Sequence, residues 1–500
     1  MVDVDYNGDG TAEVVRVTDV NAEGVVPDDA EDQEVTWTSD KTYELNGLVF
    51  VNKDETLTIE PGTEIQGRTG GGENASALIV ARGGKIVADG EKSDGTIAPI
   101  VFTSVRAAGE DLSKTDRGLW GGVILLGDAG VNTTGGTNQI EGVPEDQLNR
   151  NDYGGGMNPA NSHDIGTFRY VSIRHTGSTL AAGSEIQGLT LGAIGSGSTI
   201  EYVESYASND DGFEWFGGTV NTKYLIAAYA ADDAFDLDEG YRGSNQFWLA
   251  VQAGDAAGRI GEHDGGTEPE DGKPFATTVV SNATYIGMGP GLEDGAVSGD
   301  ANDPFLIQRD NNATSYHNTI FTGGRTNAGL QIEDLAGNDE DAANRWDGDG
   351  DGTPSTSDPL KHKNNIWHNI GPDFDANGSF DQLIQLTEED FDGDGNLENG
   401  DRGTSMKSNL ATYLDNNGNE LASNSPLTDI NRQDGDGAIV DFNPAPLNAA
   451  TSMTAQEPSA FGDTGGVNAT WTNVSFIGAF GSGASWNLSD NWAVITEDIQ

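Results

Sequence analysis

The amino-acid sequence predicts an all-β protein wound as a parallel β-helix, a solenoid of short strands. Three observations predict it. Helical periodicity is nearly absent before residue 380, while short runs of alternating apolar residues end repeatedly in Gly, Asn or Asp. The 500 residues include 70 glycines and only 16 prolines, the balance expected of many tight turns between short strands. A strand-and-turn unit also repeats. Asp210, Asp211, Phe213, Glu214 and Gly218 recur as Asp232, Asp233, Phe235, Asp236 and Gly240, and Val203 recurs as Leu225, all at an offset of 22 residues. A coil of that length cannot bury its own apolar side chains, so stacked coils must share one core. A two-sheet sandwich would instead space its strands by about 8–12 residues without parallel self-similarity.

In chain order, residues 1–33 read as an acidic lead-in. Residues 34–340 read as the main β-helix. Strand-length runs begin at Leu48, Leu57, Ala77, Pro99 and Trp120, and looser copies of the repeating strand begin at Phe168, Phe247, Ala283, Asn318 and Asn365. Residues 341–450 change composition to a dense mixture of Asp, Asn and Gly, with short helix candidates at 381–386 and 405–414. Residues 451–500 contain an apolar strand from Trp471 to Phe480, then Trp486 and Trp492, and read as a closing coil. That coil is expected to cap the C-terminal end, because an open coil end is an exposed sheet edge.

Charge and composition narrow the function. Asp and Glu number 82 and Lys and Arg 25, a formal net charge of −57, which repels phosphate and argues against nucleic acid and anionic lipid as partners. With no cysteine, thiolate metal sites, disulfides and cysteine nucleophiles are excluded. The longest apolar stretch, Leu119–Leu126, is far short of the roughly 20 residues of a membrane span. No signal peptide is visible at Met1. Self-repulsion of this size is offset either by the salt of a high-salt habitat or by bound cations.

Calcium is the cation the motifs favour. It needs six to eight oxygens, which a short loop supplies from alternating positions with a glycine at the turn. Asp347, Asp349, Asp351 and Asp358 fit such a loop, and Asp390, Asp392, Asp394, Glu398 and Asp401 repeat its spacing. Asp373, Asp375, Asn377 and Asp381 fit a shorter version, as do Asp5, Asn7, Asp9 and Glu13. These strings resemble dockerin and thrombospondin type-3 calcium repeats. Asp358 and Asp401 stand where an EF-hand has its bidentate Glu. The fold class is therefore a solenoid with a calcium-loop-rich insertion, the metal serving to order a segment poor in apolar residues.

The repeat also builds an acidic ladder. Equivalent residues on neighbouring coils lie about 4.8 Å apart. Asp210 is thus expected to stack on Asp232, Asp211 on Asp233 and Glu214 on Asp236, with Asp255 continuing the Asp233 column. Carboxylates this close require a shared cation or a retained proton. The same corners also suit turn-forming Asx residues. Trp215, Phe216, Tyr241 and Trp248 are candidates for stacking on sugar rings, against an ordinary place in the core. Motifs of serine hydrolases, zincins and P-loops are absent.

Several stretches carry a family resemblance: Glu34 to Asp40, Leu57 to Thr63, Ala77 to Ile86, Gly118 to Gly127, Asn209 to Asn221, Gly240 to Gly243, Gly261 to Gly266, and the closing Phe476 to Gly481 with Trp486 and Trp492. They resemble a family of secreted or surface right-handed parallel β-helix proteins common in Bacteroidota-like bacteria, within the superfamily of pectin lyases and polygalacturonases. Asn209-Asp-Asp211 and Asp232-Asp233 are similar in type and spacing to the acidic motifs of polygalacturonases, whose Gly-His-Gly has His263 as its nearest counterpart. For a lyase the resemblance implies an arginine base, with Arg174, Arg242 and Arg259 as candidates. The expectation is a secreted or cell-surface calcium-binding module that binds an extracellular polysaccharide or another copy of itself. The alternative is a polysaccharide lyase or glycoside hydrolase using Asp211, Asp232, Asp233 and His263.

Overall fold

The computed structural model describes residues 2–4, 14–17, 33–144, 148–181, 184–266, 268–290, 304–326, 328–335, 341–347, 358–389, 398–399, 403–432, 439–447, 449–463, 465–481, 486 and 492–497. Within them the apolar alternation becomes two stacked parallel sheets. One sheet takes one strand from each coil, ten in all, beginning with Leu48–Val51 and ending with Ile384–Leu386. The other, of nineteen strands, takes the rest of each coil. Register confirms the repeat: Phe213 pairs with Phe235, and Val203 with Leu225.

Each coil in the second half of the solenoid bends once inside the larger sheet at a residue with positive φ. These are Tyr170, Tyr202, Tyr224, Phe247, Asn282, Asn318 and Asn364, at φ of 52, 53, 59, 63, 57, 54 and 62°. Such angles are uncommon for residues other than glycine, so each bend needs support from stacking along the axis. The aromatics give it by ring stacking, at 4.4 Å for Tyr170–Tyr202, 4.2 Å for Tyr202–Tyr224 and 4.9 Å for Tyr224–Phe247. The asparagines give it by hydrogen bonding, with Asn364 Nδ2 donating to Asn318 Oδ1 at 2.7 Å.

The core runs inside the coils. Trp215, Tyr241 and Trp248 are fully buried there, with Trp215–Trp248 rings 5.2 Å apart, and Phe216 is buried beneath the 131–153 loop. None of the four is exposed to stack on a sugar ring. Among the described residues, no helix is long and apolar enough to cross a membrane.

Both ends differ from expectation. The stack begins inside the acidic lead-in: Val2–Val4 pairs antiparallel with Val14–Val17, which lies parallel on Thr42–Leu45. Residues 341–450 are not set apart from the solenoid. His362–Lys363, Ile366–His368, Ile384–Leu386 and Glu420–Leu421 continue its sheets. The helix Gly403–Asn416 closes the end by seating Met406, Leu410 and Leu414 in the core. The other helix candidate is a single turn, Phe380–Leu383, running into a strand. The C-terminal segment is not an end cap. It lies along the flank of the larger sheet, where Phe476 O, Gln456 O and Thr454 O accept hydrogen bonds from Asn282, Asn318 and Asn364.

This strap and the hairpin Leu427–Arg432 with Ile439–Pro446 cover much of the larger sheet's outer surface. A loop carrying Val131, Ile140, Val143 and Tyr153 covers the first half of the ten-stranded sheet. Beyond it, the outer face of that sheet turns acidic.

Candidate functional site

Alternation decides which side chains meet on that face. In Phe213–Phe216, Phe235–Asp238 and Gly261–Asp264, the side chains of Phe213, Trp215, Phe235, Leu237 and His263 point inward, so Glu214, Asp236, Asp238, Glu262 and Asp264 point outward. Register sets Glu214 against Asp236, and Asp236 against Glu262. Asp210, Asp211, Asp232 and Asp233 stand at the corners leading into the first two strands. Oxygens of Asp210, Asp211 and Asp232 all lie within 4.8 Å of one another, as do those of Asp211, Glu214 and Asp236.

The two corner pairs play different parts. Asp211 Oδ1 accepts the Asp233 backbone N–H at 2.9 Å, and Asp233 Oδ1 accepts that of Arg259. Each aspartate thus ties its coil to the next, as a turn former would. Gln187 Nε2 donates to Asp210 Oδ2 at 3.4 Å and to Glu141 Oε1 at 2.9 Å. The centre of the cluster lacks such support. Glu214, 6 % exposed, has Oε2 buried without a hydrogen-bond partner, and Asp236 Oδ1 is buried without one as well.

Cations are unevenly shared along the face. Arg259 lies 3.7 Å from Asp233 and 3.2 Å from Glu262, and Arg309 is 2.6 Å from Glu262 and 2.5 Å from Asp264. These pairs neutralise the third coil and reach back to Asp233, while among the described residues no arginine or lysine pairs with Asp210, Asp211, Glu214 or Asp236. The carboxyls respond accordingly. Burial, then repulsion from Asp236, holds Glu214 well above its usual range. Burial and the neighbouring acids do the same to Asp211 and Asp236. Asp210 is raised to about 7 by burial and the charge of Asp232. Glu262 is lowered against its burial, first by a hydrogen bond with the Asp233 carboxyl and then by the charges of Arg259 and Arg309.

Two expected members are elsewhere. Asp255 does not continue the column. Phe235 pairs with Gly261, 26 residues on rather than 22, so the longer third coil brings Arg259 to the corner, and Asp255 forms a two-point ion pair with Arg117 at 2.8 and 3.1 Å. His263 pairs with Leu237 and therefore faces the core. It is fully buried between Tyr316 OH at 2.7 Å and Glu262 O at 2.6 Å, with its pKa pushed down to about 4 by burial, so it cannot touch a substrate on the acidic face. Of the three candidate arginines, Arg259 is ion-paired on this face, Arg174 donates to Ser172 on the larger sheet, and Arg242 donates to Gly240 O.

The calcium loops are only partly within reach. Asp5, Asn7, Asp9, Glu13, Asp349, Asp351, Asp390, Asp392, Asp394 and Asp401 lie outside the described residues. Glu398 falls in the short strand Glu398–Asn399, Asp347 is buried and Asp358 half-buried. The 373–381 loop is described. Asp375 Oδ1 accepts the Asn377 N–H at 2.9 Å in an Asx turn, and Ser379 caps the following turn. Its acidic side chains are exposed. Sequence reasoning missed Glu141, Gln187 and Arg309 as neighbours of the acidic face, because each comes from a different coil or loop and none shares the 22-residue repeat.

A family model for a pectate-lyase-like β-helix domain matches residues 29–333. Among solved structures, the chain is similar to a pectin methylesterase from Aspergillus niger at 12% identity, over 73% of this chain and 88% of that one, with a TM-score of 0.26. No curated protein matches it.

Proposed function

The chain belongs to the pectate-lyase-like β-helix family, and from that premise we propose that its acidic face is a calcium-bridged binding surface for an extracellular polysaccharide, carried by a secreted or cell-surface protein. One observation carries the reading: Glu214 Oε2 and Asp236 Oδ1 are buried and unpartnered, in residues that each bring a carboxylate oxygen within 4.8 Å of one another and of Asp211. A buried carboxylate without a partner is costly. A divalent cation would satisfy all three groups at once, and calcium takes such oxygens while leaving positions open to ligand oxygens. Sugar hydroxyls or carboxylates would fill those positions. The buried state of Trp215, Phe216, Tyr241 and Trp248 favours this over aromatic stacking. The Asp-rich loops would hold further calcium ions in a structural role, and self-association remains the competing use of the surface.

Calcium titration by calorimetry tests the reading. Wild type should bind at this site, Glu214→Gln should lose that event, and chelator should abolish retention on immobilised acidic polysaccharide. Calcium binding that is unchanged in Glu214→Gln would refute the site. Asp210, held at about 7, supports a second reading, since a carboxyl titrating near neutrality suits proton transfer. Turnover of a uronate-containing or neutral polysaccharide, lost in Asp210→Asn but not in Asp233→Asn, would favour a lyase or hydrolase over a binding module.

A further inference from the structure

The C-terminal strap is fastened at two points by buried titratable groups of opposite character. Near its start, Asp463 reaches into the solenoid. Its Oδ2 lies 2.5 Å from His317 Nε2, and its Oδ1 accepts from Lys361 Nζ at 3.0 Å. His317 is fully buried, Asp463 is 8 % exposed and Lys361 6 %. Phe461 stacks on the His317 ring at 4.8 Å, and His317 Nδ1 has no hydrogen-bond partner. At the far end, the fully buried Glu204 accepts the backbone N–H groups of Val494 and Ile495, each at 2.9 Å, and the Ser172 hydroxyl. Trp492 sets its edge against Tyr170 and Tyr202 there, at 6.0 Å from each.

We propose that this strap is a proton-operated clasp: acid releases its first fastening, around residues 456–479, while the far end at Val494 and Ile495 stays docked. The signs follow from the groups on each side. His317, Lys361, Lys363 and Tyr413 face Asp463. Burial holds His317 below its ordinary value of 6.5, and the His317 hydrogen bond and charge help hold Asp463 below 3.8 against its burial. Opening frees Asp463 from His317 and Lys361, so its carboxyl takes up a proton more readily. For His317, beside which His362 also lies, opening removes Asp463, which favours the imidazolium, but lifts Phe461 off the ring and gives the unpartnered Nδ1 access to water; burial is the larger influence, so falling pH drives opening at this point. Glu204 behaves in the opposite sense. Burial, opposed by Arg174, Ser172 and the two N–H groups, raises it above 4.5, so its proton is bound more tightly when the strap is closed. Falling pH therefore holds that end in place.

Hydrogen exchange followed peptide by peptide from about pH 7.5 to about pH 4.5, corrected for intrinsic rates, tests the clasp. Exchange in 456–479 should rise at least about tenfold on acidification, while 492–497 and the coil strand Thr199–Tyr206 keep their protection. Asp463→Asn should raise exchange of 456–479 at about pH 7.5 and flatten its pH response. His317→Gln, which removes the titrating ring and keeps a donor, should flatten the response without opening the strap at neutral pH. A strap that loosens only together with the coils, or a pH response that both variants leave unchanged, would overturn the proposal.

Discussion

Glu214 and Asp233 look alike in the sequence, one acid apiece in a repeated strand-and-turn unit, yet their environments call for opposite outcomes on neutralisation. Asp233 Oδ1 accepts the Arg259 N–H, a bond that asparagine can also accept. Asp233→Asn should therefore shift stability by less than about 1 kcal/mol and leave calcium binding intact, as chemical denaturation with and without calcium would show. Glu214→Gln replaces an unpartnered charge with a neutral amide of the same shape. It should stabilise the chelated protein by at least about 1 kcal/mol and erase the added stability that calcium confers at this site. The pH dependence follows from the same cluster. Asp210 and Asp264 are raised to about 7, Glu333 to about 7 and Asp310 to about 8, in each case first by burial. A carboxyl raised in the folded state contributes stability at pH below its unfolded value and loses it as pH rises through the folded value. The buried histidines oppose this at lower pH, because His263 at about 4 and His362 at about 3 withhold stability only below their unfolded value of 6.5. Between about pH 6.5 and about pH 8 the unfolded histidines shed their last protons and, among the described residues, the raised carboxyls set the slope, so melting temperature in chelator should fall across that window, and saturating calcium should remove much of the fall. The pairing of Glu214 with Asp236 was legible because a 22-residue repeat is itself a register. The fates of Asp255 and His263 were not, because both depend on the longer third coil, whose extra residues leave no mark in the apolar pattern.

At the scale of elements, what was legible is what is local. Strands such as Lys85–Asp89 alternate buried and exposed side chains within one short run, and the helix Gly403–Asn416 carries Met406, Leu410 and Leu414 at four-residue intervals. The course of the strap was not legible, because its partners are side chains of the coils far away in sequence, such as Gln246 with Thr472 and Ser244 with Gly466. Its Trp471–Phe480 segment reads as a strand, but among the described residues it pairs with no sheet. The division at residue 341 failed for a related reason. An Asp- and Gly-rich composition records the loops, whereas the sheets continue through short strands with too few residues to shift it, such as Ile366–His368. The helix, rather than the final tryptophans, therefore protects the last coil. Leu414→Asp would place a charge in a fully buried seat. It should unseat the helix and expose the edges of Ile384–Leu386 and Glu420–Leu421. Unpaired edges template association, so light scattering should show concentration-dependent oligomers in place of a single species. A variant that stays monodisperse while losing helical signal would show that the edges are protected some other way.

For the whole molecule, a net charge of −57 acts through two routes that salt and calcium can separate. Repulsion among exposed carboxylates is screened by any electrolyte, since the Debye length falls from roughly 30 Å at 0.01 M to roughly 3 Å at 1 M. Repulsion among Asp211, Glu214 and Asp236 is screened much less, because these groups are largely withdrawn from water. Monovalent salt should therefore raise the melting temperature of chelated wild type and chelated Glu214→Gln by similar amounts. Calcium at low ionic strength should stabilise wild type beyond the best monovalent salt and Glu214→Gln less so. Structural calcium in the Asp-rich loops would add a second signature: chelation at low salt should make residues 341–450 the first site of proteolysis, although their sheets belong to the solenoid. If saturating monovalent salt fully replaces calcium in both proteins, the ions serve only as a general atmosphere around an acidic surface. The buried cluster would then have to hold protons instead, a state in which the fall in stability between about pH 6.5 and about pH 8 should persist at every calcium concentration.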